Sequence, residues 1–152
     1  MADAKTIDIA DVMTKSVISV DATLTVNETA KMMEDAKVGA VIVFENNSPV
    51  GIVTDRDFVK IIAHAYQITT PIKQIMSSPL YSINSNESIR VAADLMHELR
   101  IRKLPVVDNN NVVGMITATD IVNLLSVCVE EDMRDMYFHS VTKIFSNYSP
   151  YN

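Results

Sequence analysis

The sequence predicts an α+β fold: two β-α-β-β-α repeats packed through their sheets with pseudo-two-fold symmetry, followed by a C-terminal helical tail. Three observations predict it. Sliding the 152-residue chain by 63 positions brings Met13 onto Met76, Ala30 onto Ala93, Met33 onto Met96, Val43 onto Val106, Gly51 onto Gly114, Thr54 onto Thr117 and Asp57 onto Asp120 without a gap, so one unit occurs twice. Within each copy the apolar residues switch from helical spacing to unbroken Val/Ile runs of strand character. A unit of about 60 residues would bury too little of its chain alone, so the two sheets are expected to cover each other.

Each copy opens on a short polar segment with a methionine, Asp11-Val12-Met13-Thr14 or Lys73-Gln74-Ile75-Met76-Ser77. A short extended piece comes next, Val17-Ile18-Ser19-Val20 or Leu80-Tyr81-Ser82-Ile83. An amphipathic helix then begins. Thr25 with Glu28 three residues on forms a capping box, and Ser88 caps the second copy. Val26, Ala30 and Met33 recur at helical spacing, as do Ile89, Ala93, Met96 and Leu99, which marks them as core faces and the methionines as packing rather than ligands.

Two strands joined by an asparagine-rich turn follow: Ala40 to Phe44 and Val50 to Val53 around Asn46-Asn47, then Leu104 to Val107 and Val112 to Ile116 around Asn109-Asn110. Asparagine suits tight turns, and continuous Val/Ile runs suit strands covered on both faces. A closing helix runs from Asp57 to about Ala65 and from Asp120 to about Val127. The expected boundaries are residues 8–66 for the first repeat, 67–70 for a linker, 71–127 for the second repeat and 128–152 for the tail. In that tail Met133, Met136, Tyr137, Ser140, Val141, Ile144 and Phe145 fall on one helical stripe, which suits packing on the module or on a second subunit.

The chemistry concentrates where strand meets closing helix. Gly51-Ile52-Val53-Thr54-Asp55-Arg56-Asp57 returns as Gly114-Met115-Ile116-Thr117-Ala118-Thr119-Asp120. Each copy delivers a hydroxyl and a carboxylate at a helix start. Thr-x-x-Asp is also a capping pattern, so Thr54 with Asp57 and Thr117 with Asp120 can cap helices whether or not they bind a ligand.

Composition narrows the function. With 48% hydrophobic and 21% charged residues the chain is a folded globular protein. No stretch reaches the roughly 18 apolar residues of a membrane span and no signal-type core follows Met1, so a cytoplasmic protein with no membrane association is expected. A net charge of −6 argues against nucleic-acid binding, which favours a basic face. The lone cysteine, Cys128, excludes an internal disulfide and reads as a small core hydrophobe. His64, His97 and His139 have no metal-ligand spacing. Three scattered glycines form no phosphate loop, and no nucleophile–base constellation is visible. The reading is therefore no enzyme, no metal and no required cofactor.

The tandem Gly-x-x-Thr-x-x-Asp motifs, the Met-Thr and Met-Ser openings, and Leu104-Pro105-Val106-Val107-Asp108 together resemble a cystathionine β-synthase (CBS) domain pair, over about four fifths of the chain. The resemblance implies a stand-alone regulatory module, expected to be a homodimer. It implies a cleft between the repeats that senses an adenosine compound (AMP, ADP, ATP or S-adenosylmethionine) and signals to an unidentified effector protein by conformational change. In such modules the aspartate receives the ribose hydroxyls and the hydroxyl residue contacts ribose or phosphate, which maps onto Asp57 with Thr54 and Asp120 with Thr117. A carboxylate, being acceptor-only, suits a cis-diol, and the helix N-terminus suits phosphate.

The resemblance places phosphate-binding cations at Arg102 and Lys103, then Arg56 and Lys15, and the adenine against Ile18, Ala40, Tyr81 and Pro105. The basic run Arg100-Ile101-Arg102-Lys103 has only Lys37-Val38-Gly39-Ala40 as its first-copy counterpart, so unequal sites are expected. The competing reading is a ligand-independent dimerisation and interaction scaffold, in which the motifs only cap helices.

Overall fold

In the computed structural model the chain is described for residues 7–127 and 131–148; Cys128 and the last four residues of the tail lie outside them. It divides into two compact units. One is Val17–Tyr81; the other joins the described residues of Met1–Ser16 to those of Ser82–Asn152.

In the first unit β1 (Ser19–Asp21), β2 (Ala40–Glu45) and β3 (Ser48–Thr54) form a sheet in that order, with α2 (Val26–Ala36) and α3 (Asp55–Ala63). The first pair is parallel, Ser19 opposite Ile42, and the second antiparallel, Ala40 opposite Thr54. Parallel pairing needs a crossover, and α2 supplies it. The capping box at its start is present: Glu28 Oε2 receives the Thr25 N–H at 2.8 Å and the Thr25 hydroxyl at 2.7 Å. The helix ends on Lys37 in the left-handed region, φ 54°, with the Val38 amide donating to the Met33 carbonyl, a Schellman-type close.

The second unit repeats the plan with α1 (Ile9–Val12), α4 (Ile89–Leu99), β4 (Lys103–Asp108), β5 (Asn111–Thr117) and α5 (Ala118–Val127). Ser88 Oγ accepts the Val91 N–H, and Arg100 closes α4 at φ 54°, as Lys37 closes α2. Both hairpins turn on two asparagines with positive φ, Asn46-Asn47 and Asn109-Asn110, the geometry that twists correctly into a two-residue loop.

Three expectations need correction. The extended piece at 80–83 is no strand: only Ile83 pairs, as a parallel bridge to Val106. Pro105 stands where Ile42 donates to the Ile18 carbonyl in the first copy and has no N–H to extend the ladder, and the Ser85 amide is taken by Asp108 Oδ1 at 3.0 Å, so the ladder stops on both sides. Its first-copy equivalent is shifted to Ser19–Asp21. The closing helices start two residues early, at Asp55 and Ala118, because the threonine rather than the aspartate is the N-cap.

The opening segments are built into the unit of the opposite repeat. Ile72 and Ile75 lie in the first unit's core with Val20, Val41, Val43 and Val53, and Ser77 exchanges both backbone hydrogen bonds with Ile52 of β3. Ile9, fully buried, lies in the second unit's core, and Thr14 exchanges both with Met115 of β5. This crossing explains the two motif glycines. A Cβ on Gly51 would stand 2.6 Å from Met76 Sδ and 2.8 Å from the Ser77 carbonyl; on Gly114 it would stand 2.6 Å from Met13 Sδ and 2.8 Å from the Thr14 carbonyl.

The tail forms α6 (Glu131–Phe145), lying against α4 and α5 of its own chain. Tyr137, Ser140 and Ile144 are buried, while Met136 and Phe145 of the expected stripe are exposed. The helix is also fastened by Lys143 Nζ on Asp94 Oδ1 at 2.6 Å and by the Lys143 carbonyl 2.8 Å from His97 Nδ1.

Candidate functional site

Thr54 is the N-cap of α3 and the last residue of β3, so the strand hands its hydroxyl directly to a helix start. Its N–H donates to Asp57 Oδ2 at 2.8 Å and its hydroxyl to the same oxygen at 3.3 Å. The other oxygen, Oδ1, receives Lys60 Nζ at 2.9 Å. Asp57 is 3% exposed. Both oxygens of the first unit's carboxylate thus have a partner.

Thr117 and Asp120 repeat the cap with one difference. Asp120 Oδ2 receives the Thr117 N–H and hydroxyl, each at 2.8 Å, and the Asp120 amide donates back to the hydroxyl at 3.2 Å. Asn123 stands where Lys60 stands in the first repeat. Asp120 Oδ1 makes no hydrogen bond among the described residues and the carboxylate is half-buried. A positioned carboxylate oxygen with open lone pairs at a helix N-terminus can accept a hydroxyl from outside.

The residues expected at the site fall into two sets, one per unit. In the second, Lys103 is the register partner of Thr117, and the Arg102 carbonyl accepts the Ala118 N–H at 2.9 Å. Both cations therefore begin at the mouth of the Asp120 junction, and both make further polar contacts. Pro105 lies opposite Met115, one turn of the ladder deeper, and Lys15 follows Thr14, which pairs with that same Met115. In the first unit Ala40 is opposite Thr54, the Asp55 amide donates to the Gly39 carbonyl, and Arg56 is exposed in the first turn of α3. The Ile18 carbonyl is bonded to the Ile42 amide in the neighbouring strand. Tyr81, the last residue of this unit, is 51% exposed, and no hydrogen bond among the described residues ties it to Thr54 or Asp57.

Sequence reasoning missed Lys60. Its signal was available: a lysine three residues after an aspartate on a helix is a neighbour of it, and the 63-residue comparison shows Asn123 in its place. Among the described residues no group of three His, Cys, Asp or Glu could hold a metal ion, and no helix is long and apolar enough to cross a membrane.

This geometry, a glycine crossed by a methionine segment followed by a Thr–Asp helix cap, occurs twice, and the CBS domain family model matches residues 9–64 and 72–127. The chain belongs to the CBS domain family. Among relatives, the CBS domain-containing protein YhcV of Bacillus subtilis is 38% identical over 120 residues, 78% of this chain and 86% of that protein. The CBS domain pair of protein MJ0100, solved in complex with 5′-methylthioadenosine and S-adenosyl-L-methionine, has a TM-score of 0.72 and 26% identity, covering 78% of this chain and 98% of that one. The same module is also found within enzymes: a homoserine O-acetyltransferase of Methanocorpusculum labreanum is 34% identical over 112 residues, 72% of this CBS chain but 22% of that enzyme.

Proposed function

We propose that this CBS pair is a non-enzymatic regulatory module that binds an adenosine compound and passes the change in its two repeats to an effector protein. The observation that carries the reading is Asp120, whose Oδ2 is fixed by Thr117 while Oδ1 keeps open acceptor capacity. The MJ0100 pair, with its two adenosine-type ligands, supports the ligand class. A ribose hydroxyl donating to Oδ1 adds a charge-assisted bond without disturbing the cap, and Arg102 and Lys103 supply cations for a phosphate or a carboxylate. The ligand needs only a different affinity for two arrangements of the module to act as a signal.

The two junctions differ in readiness. At Asp57 a ribose hydroxyl would share Oδ1 with the half-exposed Lys60 ammonium, a competition of about 0.5 kcal/mol, so the Asp120 junction is the more open of the two. A thermal-shift series with adenosine, AMP, ATP and S-adenosylmethionine tests the reading. At least one should raise the melting temperature, and Arg102→Ala with Lys103→Ala should weaken the phosphorylated compounds more than adenosine. An equal loss for all would turn those cations into packing residues.

A second reading, a scaffold that uses no ligand, is favoured by the caps themselves, since both aspartates already serve α3 and α5. It predicts no shift with any of the four compounds, while Asp120→Ala still lowers stability by about 1 kcal/mol.

A further inference from the structure

The Asp120 junction and the tail meet at one turn of backbone. Arg100 closes α4 in the left-handed region, φ 54°, and the chain turns there into Arg102 and Lys103, the cations at the mouth of the junction. The Arg100 amide donates to the His97 carbonyl at 3.3 Å. The same carbonyl accepts Asn147 Nδ2 at 2.9 Å, from the short helical turn Ser146–Tyr148 that follows α6. A carbonyl has two lone pairs and can hold both donors. His97 is held again through its ring, whose Nδ1 lies 2.8 Å from the Lys143 carbonyl. The tail is thus bonded to the residue whose carbonyl sets the turn carrying the cations.

The other half of the junction also leads to α6. The Ala118 amide at the start of α5 donates to the Arg102 carbonyl at 2.9 Å, and Ile121, the residue after Asp120, is fully buried in one cluster with Tyr137 and Ile144 of α6. The first repeat closes α2 with the equivalent bond, Lys37 N–H to the Glu34 carbonyl at 3.1 Å, but there Asp57 is already paired with Lys60. The open oxygen of Asp120 and the tail anchor at His97 coincide in the second repeat.

We propose that α6 is the element that responds to ligand at the Asp120 junction, with Asn147 as a positioning residue for the turn that carries Arg102 and Lys103; the proposal rests on the adenosine-binding reading of that junction. A ligand held by Asp120 on one side and by the two cations on the other restrains the 100–103 turn against the start of α5. The tail then docks on a turn that is already ordered, so each event favours the other. Linkage makes the effect reciprocal: ligand tightens α6, and a tail that grips His97 less well lowers ligand affinity by the same factor.

Hydrogen–deuterium exchange of the full chain, read on peptides from residues 131–147 with and without AMP, ATP or S-adenosylmethionine, tests this beside isothermal titration of the same samples. At least one compound should bind and slow exchange in α6 by about fivefold, and Asp120→Asn should remove the slowing. Asn147 is exposed and lies outside the core cluster; Asn147→Ala should bind that compound about fivefold more weakly and lose most of the slowing. Phe138→Ala, at a 61% exposed position of the same helix, should change neither. Binding with unaltered exchange in 131–147, or full affinity in Asn147→Ala, would overturn the proposal and leave the adenosine reading standing. Slowing that survives Asp120→Asn, or an equal loss in Phe138→Ala, would overturn it too. Absence of binding by all three compounds would overturn both.

Discussion

At Asp57 a lysine completes the carboxylate's partners, and at Asp120 nothing takes that place among the described residues. Lys60→Asn, which copies the second repeat, should strengthen adenosine binding at the first junction by about twofold, the equivalent of releasing a half-exposed ion pair. Isothermal titration in an Asp120→Asn background isolates that junction. The stability lost with the half-exposed i,i+3 pair should be small, about 0.5 kcal/mol. Glu28 gives a pH prediction. The Thr25 N–H, then its hydroxyl, hold this carboxyl below its ordinary value of 4.5. A depressed folded value means that the stabilisation is complete above about pH 4.5 and disappears as pH falls through the folded value. Glu28→Gln should therefore melt below wild type at pH 7, with the gap narrowing as the pH falls through the folded value; a constant gap between the two curves would refute this cap as an acid-sensitive contact. The Thr–Asp and Thr–Glu pairs were legible in the sequence because a cap depends on residues three apart. Lys60 needed only the same rule and the comparison between copies.

Among the elements, α2 and α4 followed from apolar periodicity and end signals, since both features are local. The piece at 80–83 did not form a strand, because pairing depends on which neighbouring amides remain available, and Pro105 and Asp108 remove that option. The motif glycines recur 63 residues apart in the sequence, but nothing local to them says why a glycine is needed. Their real constraint is distant: a methionine-bearing segment crosses each at under 3 Å from where a Cβ would be. Gly114→Ala should cost about 1–3 kcal/mol by overpacking, a drop of several degrees in melting temperature, since the Thr14 backbone is pinned by its pair of bonds to Met115. The tail shows the same limit of local reasoning. Its stripe announced a packed helix but not the surface it packs on. Ending the chain after residue 130 should remove two fully buried side chains, Tyr137 and Ile144, each contributing about 1.5–3 kcal/mol. Denaturant unfolding should register most of that loss, and an unchanged midpoint would contradict the burial.

For the whole molecule, the repeat in sequence and the compact unit in space are offset by the opening segments. A fragment of residues 17–81 contains Ile72, Ile75 and the Ser77 pairing with Ile52 and should unfold cooperatively. A fragment of residues 8–66 lacks all three and should not. Circular dichroism in urea distinguishes them. The sequence could not show this exchange, because a 63-residue repeat looks the same whether each opening serves its own copy or the other. The exchange also ties function to fold, since the segment crossing Gly114 pairs with the strand that ends at Thr117 and positions Asp120. In the proposed function Asp120 holds the adenosine ligand of a regulatory module. Isothermal titration of the full chain with AMP, ATP and S-adenosylmethionine, beside Asp120→Asn, tests it most directly. Saturable binding of at least one compound, weakened at least tenfold by the substitution, is the expected result; no binding at millimolar ligand, or equal affinity in the variant, would contradict it.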